Sequence, residues 1–462
     1  MKFGGTSVGS VSAIRQAMAI IRETRETQAD RVAVIASAMS GVTNLLQDGL
    51  QCAIEGNSTG YNGIAETMTK RHQEAADELL SGEREAVMAD IVALIEDFTQ
   101  FCDSVCVLGE APPRARAYTL GLGERMNVRL VAAALRHAGI AAQAVDATEL
   151  IVTDDHYENA APFMEETRDK TRRVLDPLLA EGIVPIVTGF IGATPDGTST
   201  TLGRGGSDYS AAIIGVCLDS DEVWIWTDVD GVMSADPRIV PEARTLDHLS
   251  QTEVSELAYF GAKVLHPKTI RPVLEANIKL IVKNTFNPDH PGTLIVPNNQ
   301  ATGEPIKAVT AIRDMSLITV EGKGMMGVPG IAARTFGAVA RTKTSVLIIS
   351  QSSSEQNICF VVPQNSTSLI VETLSAEFEV EIARRDIDQI KVQDEITIIT
   401  VVGAGMLKVP GIAGRIFTAT GQSGVNVIAI AQGSSECGIS LAVAAQDADD
   451  ALRAIHPLTQ GG

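Results

Sequence analysis

The sequence is poor in aromatic residues and in positive charge. Phenylalanine, tryptophan and tyrosine make up 4% of its 462 residues, and 37 lysines and arginines stand against 57 aspartates and glutamates. The net charge of -20 repels nucleic acid and anionic lipid, so we expect no nucleic acid or membrane partner. Any bound nucleotide must therefore be held by local cations and backbone amides.

Cysteine is also scarce, and its six positions show no metal-ligand or disulfide spacing. Cys102 and Cys106 lie four residues apart without another cysteine or histidine pair nearby, which favours structural thiols in a reducing compartment. No apolar run approaches the ~18 residues that a membrane span needs, and the first residues do not form a secretory signal. These observations predict a cytoplasmic protein.

The remaining composition is that of a globular protein, with 45% hydrophobic and 20% charged residues. Over the first 230 residues, strand and helix patterns alternate, which indicates a mainly parallel sheet with helices on both faces. A charged, helically patterned stretch at about 64–107 is predicted to be a helical excursion. The expected strands are Val32–Ala36, Ala141–Val145, Ile183–Val187 and Glu222–Trp226.

A glycine-rich stretch, GRGGSDYSA at Gly203–Ala211, follows the third of these strands and leads into an apolar helix. Such a turn presents free backbone amides and the positive end of a helix dipole, which suits an anion. Arg204 beside it can hold a carboxylate through two parallel hydrogen bonds. A flexible surface turn is the alternative interpretation.

Three other polar stretches could contribute to the same kind of site. Lys2 precedes paired glycines at the start of the chain, without the ending of a Walker motif. Glu124 lies in the first turn of a predicted helix, where helix capping is its alternative role. The stretch 227–238 places aspartates at a strand end, where they could orient a nucleotide and its magnesium or simply form turns.

The C-terminal third contains an internal repeat. Residues 317–362 align without gaps to residues 398–443, with about 22 of 46 positions identical. Each copy is predicted to form strand, helix, strand, strand and a later helix, the order of a small α+β domain. The retained Gln351 and Gln432, each in a Gln-x-Ser-Ser-Glu turn, favour two ligand pockets over a duplicated spacer.

Taken together, these stretches resemble the aspartate kinases of the amino acid kinase superfamily, with two C-terminal ACT domains. The resemblance covers nearly the whole chain, including Lys2–Ser7, Ser40–Asn44, Gly123–Arg125, Gly203–Ala211, Thr227–Arg238 and Lys263–Pro267. It implies an α/β amino acid kinase fold over residues 1–298 and α+β ACT domains over 306–385 and 386–460, the second of which would share a strand from 306–315. It also implies transfer of the γ-phosphoryl group of ATP, with Mg²⁺, to the side-chain carboxylate of L-aspartate, the first step towards lysine, threonine and methionine.

The resemblance implies a role for each matching residue. Lys2 would contact the transferring phosphoryl oxygens, and Arg204 and Glu124 would hold the α-carboxylate and ammonium of aspartate. Asp208, assigned with Lys2 to catalysis, would fix the remaining polar atoms with Thr43 and Ser207. The ATP–magnesium side would comprise Gly4, Gly5, Thr6, Ser7, Thr227, Asp228, Asp236, Arg238 and Lys263. No protein side chain is singled out as a metal ligand.

The repeats resemble those of threonine-responsive aspartate kinases, including the kinase half of bifunctional aspartate kinase–homoserine dehydrogenases. Threonine is therefore favoured over lysine as effector, and a homodimer or dimer of dimers through the ACT domains is expected. The implied effector-binding residues are Met325, Val328, Gly330, Ile331, Ala332 and Gln351 in the first repeat, and Met406, Val409, Gly411, Ile412, Ala413 and Gln432 in the second.

Two departures from the family pattern stand out. Only Met1 precedes Lys2, so we expect either an upstream translation start or a shortened first strand. Ser234 replaces the more usual threonine but keeps the hydroxyl. The rival functions are a kinase for another amino acid carboxylate and a catalytically silent amino acid sensor.

Overall fold

The structure is a computed structural model that describes residues 1–261, 265, 267–298, 304–325, 328–351, 356–406, 409–433 and 437–460. The predicted Lys263 lies outside the described residues. The chain divides into two compact units. The first comprises Met1–Val232, Asp247–Gln251 and Leu265–Pro297, and the second comprises Met233–Leu246, Thr252–Val264 and Asn298–Gly462.

The first unit is built on an eight-stranded sheet of order β3-β4-β2-β1-β7-β9-β10-β8, parallel except where β10 meets β9. A separate hairpin joins β5 to β6. The strands are β1 (Lys2–Phe3), β2 (Val34–Ala36), β3 (Ala142–Val145), β4 (Val184–Thr188), β5 (Ile191–Ala193), β6 (Ser199–Thr201), β7 (Glu222–Thr227), β8 (His248–Ser250), β9 (Lys279–Asn284) and β10 (Thr293–Val296).

Helices alternate with these strands, as the sequence predicts. They are α1 (Val11–Thr27), α2 (Val42–Ile54), α3 (Ser58–Leu79), α4 (Arg84–Leu108), α5 (Pro113–Leu120), α6 (Leu122–His137), α7 (Met164–Ala180), α8 (Gly206–Cys217) and α10 (Pro267–Glu275). Helix α9 (Gln251–Tyr259) belongs to the second unit from Thr252 onward. Helices α3 and α4 form the predicted helical excursion. Within the described residues, no helix is long and apolar enough to cross a lipid bilayer.

The two-residue strand β1 lies at the centre of the sheet, between β2 and β7. Its buried Phe3 stacks on Trp226 of β7 with ring centroids 5.9 Å apart. Because β1, β2, β4 and β7 run parallel, the loops that follow them leave the sheet at one common edge. This edge therefore collects Gly4, Ser37, Gly189 and Asp228.

The second unit contains a six-stranded antiparallel sheet of order β12-β13-β11-β14-β16-β15. Its strands are β11 (Ala308–Glu321), β12 (Ile348–Gln351), β13 (Asn357–Pro363), β14 (Gln389–Val402), β15 (Ala429–Gln432) and β16 (Gly438–Ala444). The helices are α11 (Ile331–Arg341), α12 (Thr367–Glu377), α13 (Glu379–Arg384), α14 (Ile412–Gln422) and α15 (Ala448–Ile455). The strand and helix order predicted for each repeat is present.

The long strands β11 and β14 are each shared between the two repeats. Residues 308–312 of β11 pair with 398–402 of β14, beside β16, whereas 317–321 pair with 389–393, beside β13. The register changes around Asp314 and Glu395, equivalent positions of the two repeats that adopt φ of 58° and 57°. The domain boundaries predicted from the sequence remain a proposal. Residues 308–312 of β11 lie alongside the strands of the second repeat.

Candidate active site

A cleft of about 520 Å³ opens at the carboxyl edge of the parallel sheet in the first unit. The N-terminal ends of α2 and α8 border it, so free helix amides and two positive dipole ends face the same space. Its lining includes six of the residues assigned to catalysis or substrate binding: Lys2, Thr43, Glu124, Arg204, Ser207 and Asp208. The sheet topology thus brings together residues up to 206 positions apart in the chain.

Lys2 and Asp208 form an ion pair in this cleft, with Lys2 Nζ 2.6 Å from Asp208 Oδ1. The two side chains are only 10% and 20% exposed, so solvent screens the pair weakly. Strand β1 fixes the backbone of Lys2, and the first turn of α8 fixes that of Asp208. The ammonium group of Lys2 is therefore held in a fixed position in the cleft.

Glu124 is a buried carboxylate with an unused acceptor. Its Oε1 accepts a hydrogen bond of 3.2 Å from the Ala38 amide, whereas Oε2 has no partner among the described residues. Burial raises the pKa of Glu124 to about 8, against smaller opposing effects of the Ala38 hydrogen bond and the charges of Arg125 and Lys2. The side chain also accepts a hydrogen bond from its own amide in the first turn of α6, as a helix-capping residue would, and a cationic group reaching Oε2 would satisfy the remaining acceptor and favour the carboxylate.

Arg204 is exposed at the mouth of the cleft and forms no ion pair with any described residue. The turn that carries it has glycines with φ of 76° at Gly203 and 70° at Gly205, a conformation that L side chains rarely adopt. Behind it, a Cβ added to Gly189 would come within 2.7 Å of the Ser207 side chain. These glycines allow the tight turn at the start of α8, and the Arg204 guanidinium remains exposed to a ligand in the cleft.

The loop after β1 provides fewer phosphate donors than the sequence suggests. Ser7 is fully buried: its amide donates to Gly4 O at 2.9 Å, and its hydroxyl donates to Trp226 O at 3.3 Å and accepts from Thr285 Oγ1 at 2.7 Å. The Gly4 amide donates to Trp226 O at 3.2 Å. The Ser7 hydroxyl thus fastens the loop to β7 and Thr285, and the assignment of Ser7 to the ATP side stays a prediction.

The amides of Gly5 and Thr6 have no hydrogen-bond partner among the described residues, and Thr6 is exposed. Beyond β7, Thr227 Oγ1 donates to the exposed Asp228 at 3.2 Å. Asp230, one of the aspartates of the 227–238 stretch, accepts from Asn284 Nδ2 at 2.8 Å and Asn287 Nδ2 at 3.0 Å, and these bonds lower its pKa. No sequence pattern near Asp230 signals these distant amides.

Asp236 and Arg238 belong to the second compact unit rather than the first. The Arg238 guanidinium forms a two-point ion pair with Asp236, at 3.0 Å from Nε and 2.6 Å from Nη2. The Arg238 amide also donates to Asp236 Oδ1 at 3.0 Å. Asp236 and Arg238 therefore lie on one turn that these hydrogen bonds hold together.

The predicted effector loops have matching geometry in the two repeats. Gly330 and Gly411, with φ of 96° and 87°, precede α11 and α14 and leave the first helix amides open. Met325 and Ile331 in the first repeat and Met406 and Ile412 in the second are buried. The exposed positions are Val328, Gly330 and Gln351 with their counterparts Val409, Gly411 and Gln432; Ala332 and Ala413 are half-buried.

Both repeats carry an arginine at the same position of the first helix, but its contacts differ between them. Arg334 of α11 pairs with Glu377 and Glu381 and covers the ring of Phe378. Its counterpart Arg415 on α14 forms no ion pair with any described residue. In the first repeat, the two carboxylates come from Glu377 at the end of α12 and Glu381 on α13.

Comparison with models of known protein families identifies the families that the two parts of the chain match. The amino acid kinase family model matches residues 1–284, and the ACT domain model matches residues 318–378 and 399–457. The fold and cleft therefore define an amino acid kinase domain followed by ACT domains.

Comparison with individual proteins shows which members of this family the chain is similar to. The chain is 36% identical to bifunctional aspartokinase/homoserine dehydrogenase 1 of Arabidopsis thaliana, over 98% of this chain and 50% of the relative, and 32% identical to Arabidopsis aspartokinase 3, over 99% and 80%. It is 28% identical to E. coli aspartokinase III solved with lysine and aspartate, with a TM-score of 0.80 over 99% and 98% of the chains. The chain belongs to the aspartokinases of the amino acid kinase family. It spans about half the length of the bifunctional relatives that it matches.

Proposed function

We propose that the chain is an aspartate kinase that converts ATP and L-aspartate to ADP and 4-phospho-L-aspartate. The observation that carries this proposal is a pair of groups in one cleft next to Lys2: the buried carboxyl group of Glu124, whose Oε2 has no partner among the described residues, and the exposed guanidinium of Arg204. These groups complement the ammonium and α-carboxylate of an amino acid. In support, E. coli aspartokinase III, 27% identical with a TM-score of 0.80, has been solved with aspartate and ADP.

The chemistry requires positioning more than proton transfer. The accepting carboxylate is already ionised at neutral pH, so no general base is needed. Arg204 and Glu124 would hold the amino acid by its two main-chain charges, with Thr43 and Ser207 at the helix N-termini fixing the rest. Lys2 would then neutralise charge on the transferring phosphoryl group, while Asp208 holds the Lys2 ammonium in place.

The nucleotide would use the amides of Gly5 and Thr6, with Gly4 and Ser7 shaping the loop. Thr227, Asp228, Asp236, Arg238 and Lys263 remain proposed for the ATP side. Mg²⁺ usually keeps one or two carboxylates together with substrate phosphates, and the exposed Asp228 at the end of β7 fits that role. When bound with ATP, the ion would neutralise phosphate charge.

Regulation by an amino acid is proposed at the two ACT pockets, with threonine favoured over lysine because both repeats carry glutamine at Gln351 and Gln432. The open amides before α11 and α14 suit an α-carboxylate. We further propose a cytoplasmic homo-oligomer joined through the ACT domains, serving lysine and threonine biosynthesis.

ATP-dependent formation of aspartyl hydroxamate tests the function, run without effector and then with threonine, lysine or both. Turnover that threonine alone suppresses is the expected result. Suppression by lysine alone would keep the kinase and overturn the threonine assignment. No turnover with aspartate from folded protein, compared with glutamate as a second acceptor, would favour the sensor or another acceptor.

The affinity for aspartate is expected to fall as the pH is lowered. Burial raises the pKa of Glu124 to about 8, so below that pH the group is mostly neutral and must lose its proton to pair with the substrate ammonium. The apparent Kd should therefore rise by roughly tenfold for each pH unit below about 8. Calorimetric titration of aspartate at several pH values measures this slope.

Glu124→Gln provides the control for this pH effect. The amide does not titrate, so its weaker affinity should be nearly constant from pH 6 to 8. A wild-type affinity that is equally constant would show that Glu124 does not bind the ammonium.

A further inference from the structure

The segment that carries Asp236 and Arg238 packs into the core of the second repeat. Ala235 and Val240 are buried in the same apolar cluster as Val309 of β11, Ile399 of β14 and Ile455 of α15. All these residues belong to the second compact unit. The turn proposed to bind nucleotide is thus built on an ACT repeat, although it precedes the ACT match of that repeat, which begins at residue 399, by about 160 residues in the chain.

Ser234 fastens this segment through every polar group that it has. Its amide donates to Arg244 O at 2.8 Å, and its carbonyl accepts from Val309 N at 2.8 Å. Its hydroxyl oxygen accepts from Arg244 N at 2.9 Å and lies 2.9 Å from His456 Nε2. Ser234 is 0% and His456 2% exposed, so no water replaces these bonds.

The C-terminal end of the second repeat holds the same segment at two further points. Arg244 Nη2 donates to Thr459 O at 2.9 Å, and Arg453 Nε donates to Ile239 O at 3.2 Å. Between these anchors, the amides of Ile239 and Val240 donate to Asp236 O. The turn is therefore clamped on both sides, with the Arg238 side chain 79% exposed and that of Asp236 33% exposed.

We propose that Ser234 and His456 are positioning residues that fix the Asp236–Arg238 turn for nucleotide binding, so that the C-terminal end of the second repeat sets the affinity for ATP. This proposal rests on the proposed function for the chemistry of the turn. Only one residue separates Ser234 from Asp236, so loss of the buried bond frees the backbone at the point where the turn begins. The substrate cleft described above contains neither residue.

Removing the Ser234 hydroxyl tests the proposal. Ser234→Ala leaves the Arg244 amide and His456 Nε2 without their buried partner, and we expect the KM for ATP to rise about tenfold, roughly the effect of losing a buried hydrogen bond. The kcat and the KM for aspartate should stay within about twofold. Ser234→Thr keeps the hydroxyl and should restore the wild-type KM for ATP.

His72→Gln is the matched control, because His72 is also buried and bonds only to the Met68 carbonyl of its own helix α3. It should reduce stability without changing the KM for ATP. An unchanged KM for ATP in folded Ser234→Ala, or an equal rise in His72→Gln, would overturn the proposal. His456→Leu, which cannot bond to the Ser234 hydroxyl, provides a second variant if Ser234→Ala does not fold, with the same expected rise.

Direct titration with ADP separates this proposal from the proposed function. If wild-type protein binds ADP but does not phosphorylate aspartate, the function fails, and a tenfold weaker ADP affinity in Ser234→Ala still supports the positioning role. If wild-type protein phosphorylates aspartate and the variant binds ADP normally, only the positioning role fails.

Discussion

Lys2→Ala is expected to lower kcat for aspartate phosphorylation by roughly a hundredfold or more. A fixed donor that acts mainly on developing transition-state charge contributes about 3 kcal/mol, which corresponds to that factor. Lys2 Nζ is held 2.6 Å from Asp208 in the cleft that contains Glu124 and Arg204, and no other lysine lines that cleft among the described residues. Steady-state kinetics with saturating ATP and aspartate measure the loss.

Lys70→Ala is the matched control, since the Lys70 side chain is 79% exposed on α3 and makes only a long contact with Glu74. It should retain wild-type kcat. Circular dichroism should show that both variants are folded, because Lys2→Ala leaves Asp208 without its ion partner. Near-normal turnover in folded Lys2→Ala would remove Lys2 from the catalytic assignment.

Glu253→Ala is expected to lower the free energy of unfolding of the second unit by about 4 kcal/mol, as measured by urea denaturation. The Glu253 side chain is 0% exposed and lies 3.0 Å from Lys307 Nζ, whose side chain is 7% exposed. Its other oxygen accepts a 2.7 Å hydrogen bond from the Ala404 amide. Removing the carboxylate leaves a buried ammonium and a buried amide without these partners.

Two further variants separate the ion pair from simple loss of volume. Glu253→Met combined with Lys307→Met removes both charges and should be less destabilising than Glu253→Ala. Asp450→Ala breaks an exposed pair with Arg453 on α15 and should change stability by less than about 1 kcal/mol. A Glu253→Ala protein as stable as Asp450→Ala would show that the buried pair contributes little.

Much of the fold follows from local patterns in the sequence. The apolar run at Val32–Ala36 and the alternation of strands and helices predict β2 and the parallel sheet, because a strand buried on both faces needs a continuous apolar stretch. The gapless repeat predicts two similar domains. The placement of Lys2, Glu124 and Arg204 in one cleft agrees with the expected convergence of residues at the carboxyl edge of such a sheet.

What the sequence could not predict depends on partners far along the chain. The Ser7 hydroxyl is engaged by Thr285, 278 residues away. Asp236 and Arg238 lie about ten residues after the end of strand β7, yet their segment packs with Ile455 in the second unit. Local patterns specify which residues are polar or apolar, whereas these contacts are fixed only when the complete sheet and its covering helices have assembled.

The strands β11 and β14 are each shared between the two repeats. This sharing determines whether the repeats can be separated or exchanged one at a time. Cutting the chain between the repeats would deprive each half of a central strand and expose two rows of unpaired backbone groups. A chimaera with another regulatory region must therefore exchange both repeats together. In a single-molecule pulling experiment, the pair should rupture as one mechanical element rather than as two successive domains.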